Sequence, residues 1–160
     1  MKTPIENRDL TRQSPHSPRD RFGRFAILGR TVDKCRASIA GTLGEYHYDC
    51  PLDNQLFGFK GINAAQFKTA VASAKSYEDV AAWLKINGVP RTREEERAWS
   101  YQMEALKVKD MPAMQASDRR KELVESCRKL GLDIERATLF DWLEADDKAS
   151  FQPSSQPVAK

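Results

Sequence analysis

Four pairs of residues along this chain have the spacing that is typical of the start of an α-helix. In each pair a hydroxyl or amide side chain lies three residues before an acidic or amide side chain. The four pairs are Asn63-Gln66, Ser76-Asp79, Thr92-Glu95 and Thr138-Asp141. Apolar residues follow each pair at steps of three and four, which is the period of one helix face. No stretch alternates apolar and polar residues between turn residues, as a half-buried strand does. This pattern predicts an all-α fold, a single compact domain of six or seven helices.

Further helices are predicted on either side of these starts. Apolar residues at helical spacing predict a first helix over about Phe22–Ala40, which Gly41 ends. A short helix is predicted over Leu52–Phe59, and Ser117 is predicted to begin another.

The two ends of the chain differ in composition from the middle. Residues 1–18 are polar and contain three prolines, so we expect an extended N-terminal arm. Residues 152–160 (QPSSQPVAK) have the composition of a disordered C-terminal tail. Residues 19–151 then form the all-α domain.

Charge and hydropathy argue against two classes of partner. The 26 basic and 23 acidic residues alternate in sign and form no basic stripe, so no nucleic-acid partner is expected. No run approaches the roughly 18 apolar residues that a spanning helix needs, so no membrane is expected. The N-terminal MKTPIENRDL lacks the apolar region of a secretory leader, and the three cysteines match no disulfide spacing. We therefore expect a cytoplasmic protein.

Side chains with reactive chemistry concentrate between Gly29 and Asp53. On a helical wheel Arg36 lies inside the edge of the apolar stripe of the first predicted helix, with Asp33 one step further round. A guanidinium there needs an anionic or carbonyl partner, because an unpaired buried charge is very costly. One interpretation pairs Arg36 with a carboxylate such as Asp33. The other is that Arg36, with Arg30 and Lys34 nearby, binds a carboxylate or phosphate of a ligand.

His47 lies in the predicted loop after this helix. Histidine titrates near neutrality, which suits proton transfer, and Glu45, Tyr46 and Tyr48 are its sequence neighbours. A purely structural alternative is a hydrogen bond from His47 to a backbone carbonyl that holds the loop. The second histidine, His16, lies in the arm and is expected to be solvated.

A metal site is not expected, and neither is a cofactor. Cys35, His47 and Cys50 could supply three zinc ligands, but structural zinc sites show paired ligands at short spacing on both sides. Cys50 could be a thiol nucleophile paired with His47, but this is equally weakly supported, since cysteine is often buried as a small apolar residue. Each of the three tryptophans fits the inward stripe of its helix, so Trp83, Trp99 and Trp142 are predicted to pack in the core.

The order of several short motifs resembles that of an uncharacterised bacterial family, the domain of unknown function DUF5069. The motifs are Gly29-Arg30-x-x-Asp33-Lys34-x-Arg36, a glycine-bounded turn with Tyr46-His47, Phe57-x-Phe59-x-Gly61-Ile62, the Trp83 helix, and Thr138-x-Phe140-Asp141-Trp142-Leu143-x-x-Asp146-Asp147. The resemblance covers about Leu10 to Phe151. It implies no activity, but it implies that the Asp33, Lys34, Arg36 and His47 positions belong to the family pattern.

Two hypotheses of function follow. The first is a small-molecule-binding protein or enzyme with a polar pocket between the first helix and residues 45–53, in which Arg36 binds an anionic group and His47 is the general acid or base. Its candidate catalytic residues are His47, Asp33 and Lys34, and its candidate ligand contacts are Arg36, Arg30, Tyr46, Tyr48 and Glu45. The second is a non-enzymatic protein-interaction or regulatory module that docks through its arm, tail and charged faces.

Overall fold

The computed structural model describes residues 1–151, and these residues form an all-α structure. Its seven α-helices are α1 Leu28–Ala40, α2 Pro51–Lys60, α3 Ala64–Ser73, α4 Tyr77–Asn87, α5 Arg93–Ala105, α6 Ser117–Lys129 and α7 Leu139–Phe151. Two 3-10 turns, Val108–Asp110 and Pro112–Gln115, lie between α5 and α6. The described residues contain isolated backbone bridges and no strand. The predicted fold class and number of helices are confirmed, whereas the predicted tail at 152–160 lies outside the described residues.

The predicted helix starts are real capping interactions. Asn63 accepts from the Gln66 amide at 2.8 Å, and the Gln66 side chain accepts from the Asn63 amide at 3.0 Å. The Thr92-Glu95 and Thr138-Asp141 pairs make the same two reciprocal bonds, at 3.0 and 3.1 Å in each case. These bonds satisfy amide groups that a helix leaves unpaired at its start.

The first helix begins later than its apolar pattern predicted, at Leu28 instead of about Phe22. Arg24 and Ile27 have φ angles of 73° and 74°, in the left-handed region that a right-handed helix cannot include. Phe22 and Phe25 exchange backbone hydrogen bonds of 3.3 and 3.1 Å instead of helical ones. The apolar spacing of residues 22–27 thus reflects a buried loop, and spacing alone does not distinguish the two.

The described chain divides into two compact units, of which the first is Met1–Met103. Its N-terminal segment packs against the start of α4. The Ile5 amide donates to Lys75 O at 3.0 Å and the Tyr77 amide donates to Thr3 O at 3.1 Å, while Leu10 is 1% exposed. Large apolar side chains in the buried core of this unit include Phe25, Leu28, Leu56, Phe57, Phe67, Tyr77, Leu84 and Trp99.

The second unit is Glu104–Lys160, described as far as Phe151. Its own core is small, with Val108, Cys127 and Ala137 buried at the centre. The apolar side chains packed around that centre are Met111, Met114, Leu123, Leu132, Ile134 and Trp142. Trp142 is half-buried and its indole N–H donates to the Ser126 hydroxyl at 2.8 Å.

Candidate functional site

Helix α1 carries ionisable side chains on its inner face. Arg30, Asp33 and Lys34 are each at most 3% exposed. A buried charge is tolerated only with a charged or hydrogen-bonding partner, so the partners of these side chains define the polar interior of the first unit.

Asp33 is the centre of one buried network. Its Oδ2 atom accepts from the backbone amide of His16 at 2.8 Å and lies 2.6 Å from His16 Nδ1, and its Oδ1 atom accepts from the Tyr77 hydroxyl at 2.5 Å. Burial and the Asp33 carboxylate raise the pKa of Tyr77, because both disfavour a second negative charge. Asp33 therefore joins the N-terminal segment, α1 and α4.

His16 is not solvated, contrary to the sequence-based expectation. Its side chain is 13% exposed and lies edge-on to the rings of Phe22 and Tyr77. The Nε2 atom faces Arg8 Nη2 at 3.5 Å and Glu6 Oε2 at 3.4 Å. The sequence offered no local signal for this contact, because His16 and Asp33 are 17 residues apart.

Asp53 is the centre of a second network and is fully buried. It accepts from the Thr31 hydroxyl at 2.8 Å and pairs with Lys34 Nζ at 2.9 Å. It also accepts from the amides of Asp49 and Cys50 at the start of α2, at 2.9 and 3.3 Å. This network occupies the space between α1 and the 45–53 loop where a pocket was predicted.

Arg36 holds the end of α3. Its Nε atom donates to Val71 O at 3.1 Å, its Nη1 atom to Asn7 Oδ1 at 2.6 Å, and its Nη2 atom to Ala74 O. Carbonyl groups at the end of a helix carry partial negative charge and lack helical partners, so a guanidinium suits them. The partner of Arg36 is thus the backbone of α3 and one amide side chain, and the alternative pairing with Asp33 is not formed.

The remaining predicted site residues lie in the loop between α1 and α2. Glu45 and His47 are exposed, and His47 makes no hydrogen bond or ion pair with any described residue. The Tyr48 hydroxyl donates to Ala64 O at 2.6 Å, and burial raises the pKa of Tyr48. The Arg30 guanidinium lies 5.5 Å from the centre of the half-buried Tyr46 ring. The contacts of Arg36 do not include His47, so the structure does not bring the two principal candidates together.

A groove of about 610 Å³ lies between α3 and α4 in the first unit. Three parts of the chain line it: a stripe of small and polar side chains on α3, the segment that follows α3, and one face of α4. The lining residues are Gln66, Thr69, Ala70, Ser73, Ala74, Lys75, Asp79 and Trp83. The sequence contains a pattern that is consistent with this groove: small and polar residues recur on α3 at steps of three and four, and such a face leaves room beside α4.

Trp83 is the large aromatic side chain of this groove, and it is half-buried. Trp83 was predicted to pack in the core and is only partly buried there, whereas Trp99 is 8% exposed and stacks on Phe59. At one end of the groove Asp79 pairs with Lys2 at 2.7 Å. The groove thus combines an aromatic surface with a few polar groups, as small-molecule sites do.

Residues 1–151 contain neither a cluster of metal ligands nor a helix that could span a membrane. No group of three or more His, Cys, Asp or Glu side chains is placed there to hold a metal ion. None of the helices in this part of the chain has the length and apolar character needed to cross a bilayer.

Comparison with known proteins identifies the family of the chain. A family model described as "Domain of unknown function (DUF5069)" matches residues 12–149, which is most of the chain. No curated protein matches the sequence.

Proposed function

The chain belongs to the DUF5069 family, and we propose that it is a small-molecule-binding protein whose ligand occupies the groove between α3 and α4. The family has no assigned activity, so the proposal depends on the site itself. One observation carries it: a concave space of about 610 Å³ with an aromatic side chain and several polar groups on its walls. Ligand pockets of proteins typically measure about 300–1,000 Å³ and have this mixture of walls.

The groove has a rigid support. Arg36 donates to the carbonyls of Val71 and Ala74 at the end of α3, and Ala74 itself lines the groove. Reciprocal capping by Asn63 and Gln66 holds the other end of the same helix. A preformed wall lowers the ordering cost of binding. In this proposal Arg36 contributes by positioning α3, although the sequence suggested direct contact with an anion.

The acid–base roles predicted for His47, Asp33 and Lys34 remain a separate proposal. Asp33 and Lys34 are committed to the buried networks around His16 and Asp53, and His47 is the one of the three with an exposed ring. If His47 transfers protons, replacing it with alanine should abolish turnover of any ligand that reacts while leaving binding in the groove unchanged.

The test fills the groove without removing an existing contact. Ala70 lines the groove, and Ala72 lies exposed on the same helix outside it. A fragment library is screened against the wild type, Ala70→Trp and Ala72→Trp by saturation-transfer NMR. We expect fragments that bind the wild type and Ala72→Trp but not Ala70→Trp. Fragments that bind all three proteins equally, or none at all, would refute the groove as a ligand site.

A protein partner is the second candidate, and one feature of α4 favours it. Ile86 is 81% exposed and lies one turn after Trp83, so the face of α4 that borders the groove continues into an exposed apolar residue. An amphipathic helix could occupy such a face. Single exposed apolar residues are common on monomers, so the small molecule remains the primary proposal. In the partner case Ile86→Ser would weaken complex formation and leave fragment binding intact.

A further inference from the structure

We propose that the ligand of the α3–α4 groove is an anionic aromatic small molecule, with its ring system against Trp83 and its acidic group at Lys75. This inference rests on the proposed function, since it names the chemical class of ligand for the same groove. It is drawn from three features of the walls: the aromatic surface, the balance of charge, and the hydrogen-bonding groups that the fold leaves unused.

Trp83 supplies the surface for a ring. It is half-buried in the wall, so part of the indole is accessible from the groove. The small residues opposite, Ala70, Ser73 and Ala74, leave space over it. Aromatic rings gain from offset or edge-to-face contact beyond the burial of apolar area. A planar ligand uses this surface better than a flexible chain does.

The charges of the groove favour an anion. Asp79 is neutralised by Lys2 at 2.7 Å, and the hydrogen bond from Lys2 lowers the pKa of Asp79. Lys75 also lines the groove, is exposed, and pairs with no carboxylate of the described residues. The lining carries one acidic and one basic side chain, and because Asp79 is paired with Lys2, the ammonium of Lys75 is the charge left to attract a ligand. A cationic ligand would have to displace Lys2 and would face Lys75.

The unused hydrogen-bonding groups point the same way. The Thr69 and Ser73 hydroxyls donate to Ala65 O and Ala70 O, so they offer a ligand acceptor oxygens only. Three donors of the groove have no acceptor among the described residues: the ammonium of Lys75, the indole N–H of Trp83 and the amide NH₂ of Gln66, whose oxygen already accepts from Asn63. The Lys75 ammonium and the two neutral donors can each donate to an acceptor oxygen of a ligand, and a carboxylate supplies such oxygens together with a negative charge.

The experiment compares naphthoate with its uncharged amide, naphthamide, as probes of equal ring size. Binding is followed in proton–nitrogen correlation spectra, where each of the three tryptophans has its own indole signal. We expect naphthoate to shift the Trp83 indole signal and to bind about three- to tenfold more tightly than naphthamide, as expected for one exposed charge pair. Raising the salt to about 0.5 M should reduce that preference.

Charge-removing variants identify the anion site. Lys75→Met keeps the length of the side chain, and Lys68→Met removes the same charge from an exposed position on α3 that does not line the groove. Lys75→Met should bind both probes equally, whereas Lys68→Met should keep the wild-type preference. Unchanged spectra away from the mutated residue show that both variants fold.

Other outcomes separate the inference from the proposed function. If fragments blocked by Ala70→Trp exist but the wild type shows no preference for naphthoate, the ligand class is wrong and the groove remains the site. A preference that survives in Lys75→Met likewise overturns the anion site. If no compound is blocked by Ala70→Trp, both proposals fail.

Discussion

At the scale of single residues, Asp33 illustrates how a buried carboxylate is accommodated. Both of its oxygens are occupied, by donors from His16 and Tyr77, and the Arg8 Nε atom lies 4.0 Å from Oδ2. The side chain is 0% exposed, so the partners must replace the whole of its hydration. The contacts are tertiary: Tyr77 lies 44 residues from Asp33 in the sequence.

Asp33→Asn should lower the free energy of unfolding by about 3 kcal/mol, because one oxygen becomes an amide nitrogen facing donors. Chemical denaturation measures the change. Asp20→Asn, at an exposed position of the same unit, is the control and should stay within about 0.5 kcal/mol of the wild type. A similarly small effect at Asp33 would mean that the network adds little to stability.

The thiol of Cys35 makes stability depend on pH in alkaline solution. Burial raises its pKa from the ordinary value of 9.0 to about 11. Between these values the folded chain holds a proton that the unfolded chain has lost. Stability therefore falls as the pH rises from about 9 to about 11, by on the order of 2 kcal/mol from this group.

Cys35→Ala should show a shallower fall in the free energy of unfolding over that pH range, although it lowers stability at neutral pH by leaving a cavity. Val32→Ala, a cavity-forming substitution on the same helix without a titratable group, should keep the wild-type slope. Urea denaturation at a series of pH values measures both slopes. Equal slopes in the two variants would show that the Cys35 thiol does not contribute.

At the scale of elements, α3 is held at both ends by side-chain interactions of different origin. The Asn63-Gln66 capping box is local, within four residues. The Arg36 contacts at the other end come from α1, across 35 and 38 residues of sequence. The groove wall therefore depends on one interaction that can be recognised in sequence and one that requires the fold.

Arg36→Ala should lower the free energy of unfolding by about 2–3 kcal/mol, because it removes the guanidinium donors to Ala74 O and Val71 O and leaves Val71 O with the Ala74 amide alone. Amide exchange in the last turn of α3 should quicken, and fragments in the groove should bind more weakly. Arg36→Lys should recover only part of the loss, since an ammonium lacks the planar fork. Arg93→Ala, exposed on α5, is the control. Unchanged exchange in Arg36→Ala would contradict the positioning role.

At the scale of the whole molecule, the two compact units differ in their cores. The buried apolar residues of the first unit come from the segment before α1 and from each of α1 to α5, and the groove lies within this unit. The centre of the second unit consists of Val108, Cys127 and Ala137, with partly buried neighbours. Short chains with small cores are marginally stable, because little of their surface is buried.

A fragment of residues 1–105 should therefore fold cooperatively and keep the groove. Circular dichroism during heating should show a single transition, and the fragments blocked by Ala70→Trp in the full chain should still bind. Residues 106–160 alone should show no cooperative transition. If residues 1–105 fail to fold while the full chain is stable, the two units depend on each other for stability. The division into units would then describe the packing of the chain and not two independently stable parts.

The sequence by itself determined the helices, because the signals for a helix lie within a few residues of one another. Capping pairs and apolar spacing predicted the all-α class and the starts of α3, α4, α5 and α7. They were wrong about the start of α1, since the buried loop at residues 22–27 has the same apolar spacing as a helix. The motif order also identified the family.

Only the tertiary structure decided which polar groups meet. The sequence required a partner for Arg36, and the fold provided the end of α3. It likewise brought His16 to Asp33, while His47 remained exposed. The groove exists because α3 and α4 pack beside each other with small residues between them. Burial and pairing of charges depend on distances between segments far apart in the chain, and local spacing carries no information about those distances.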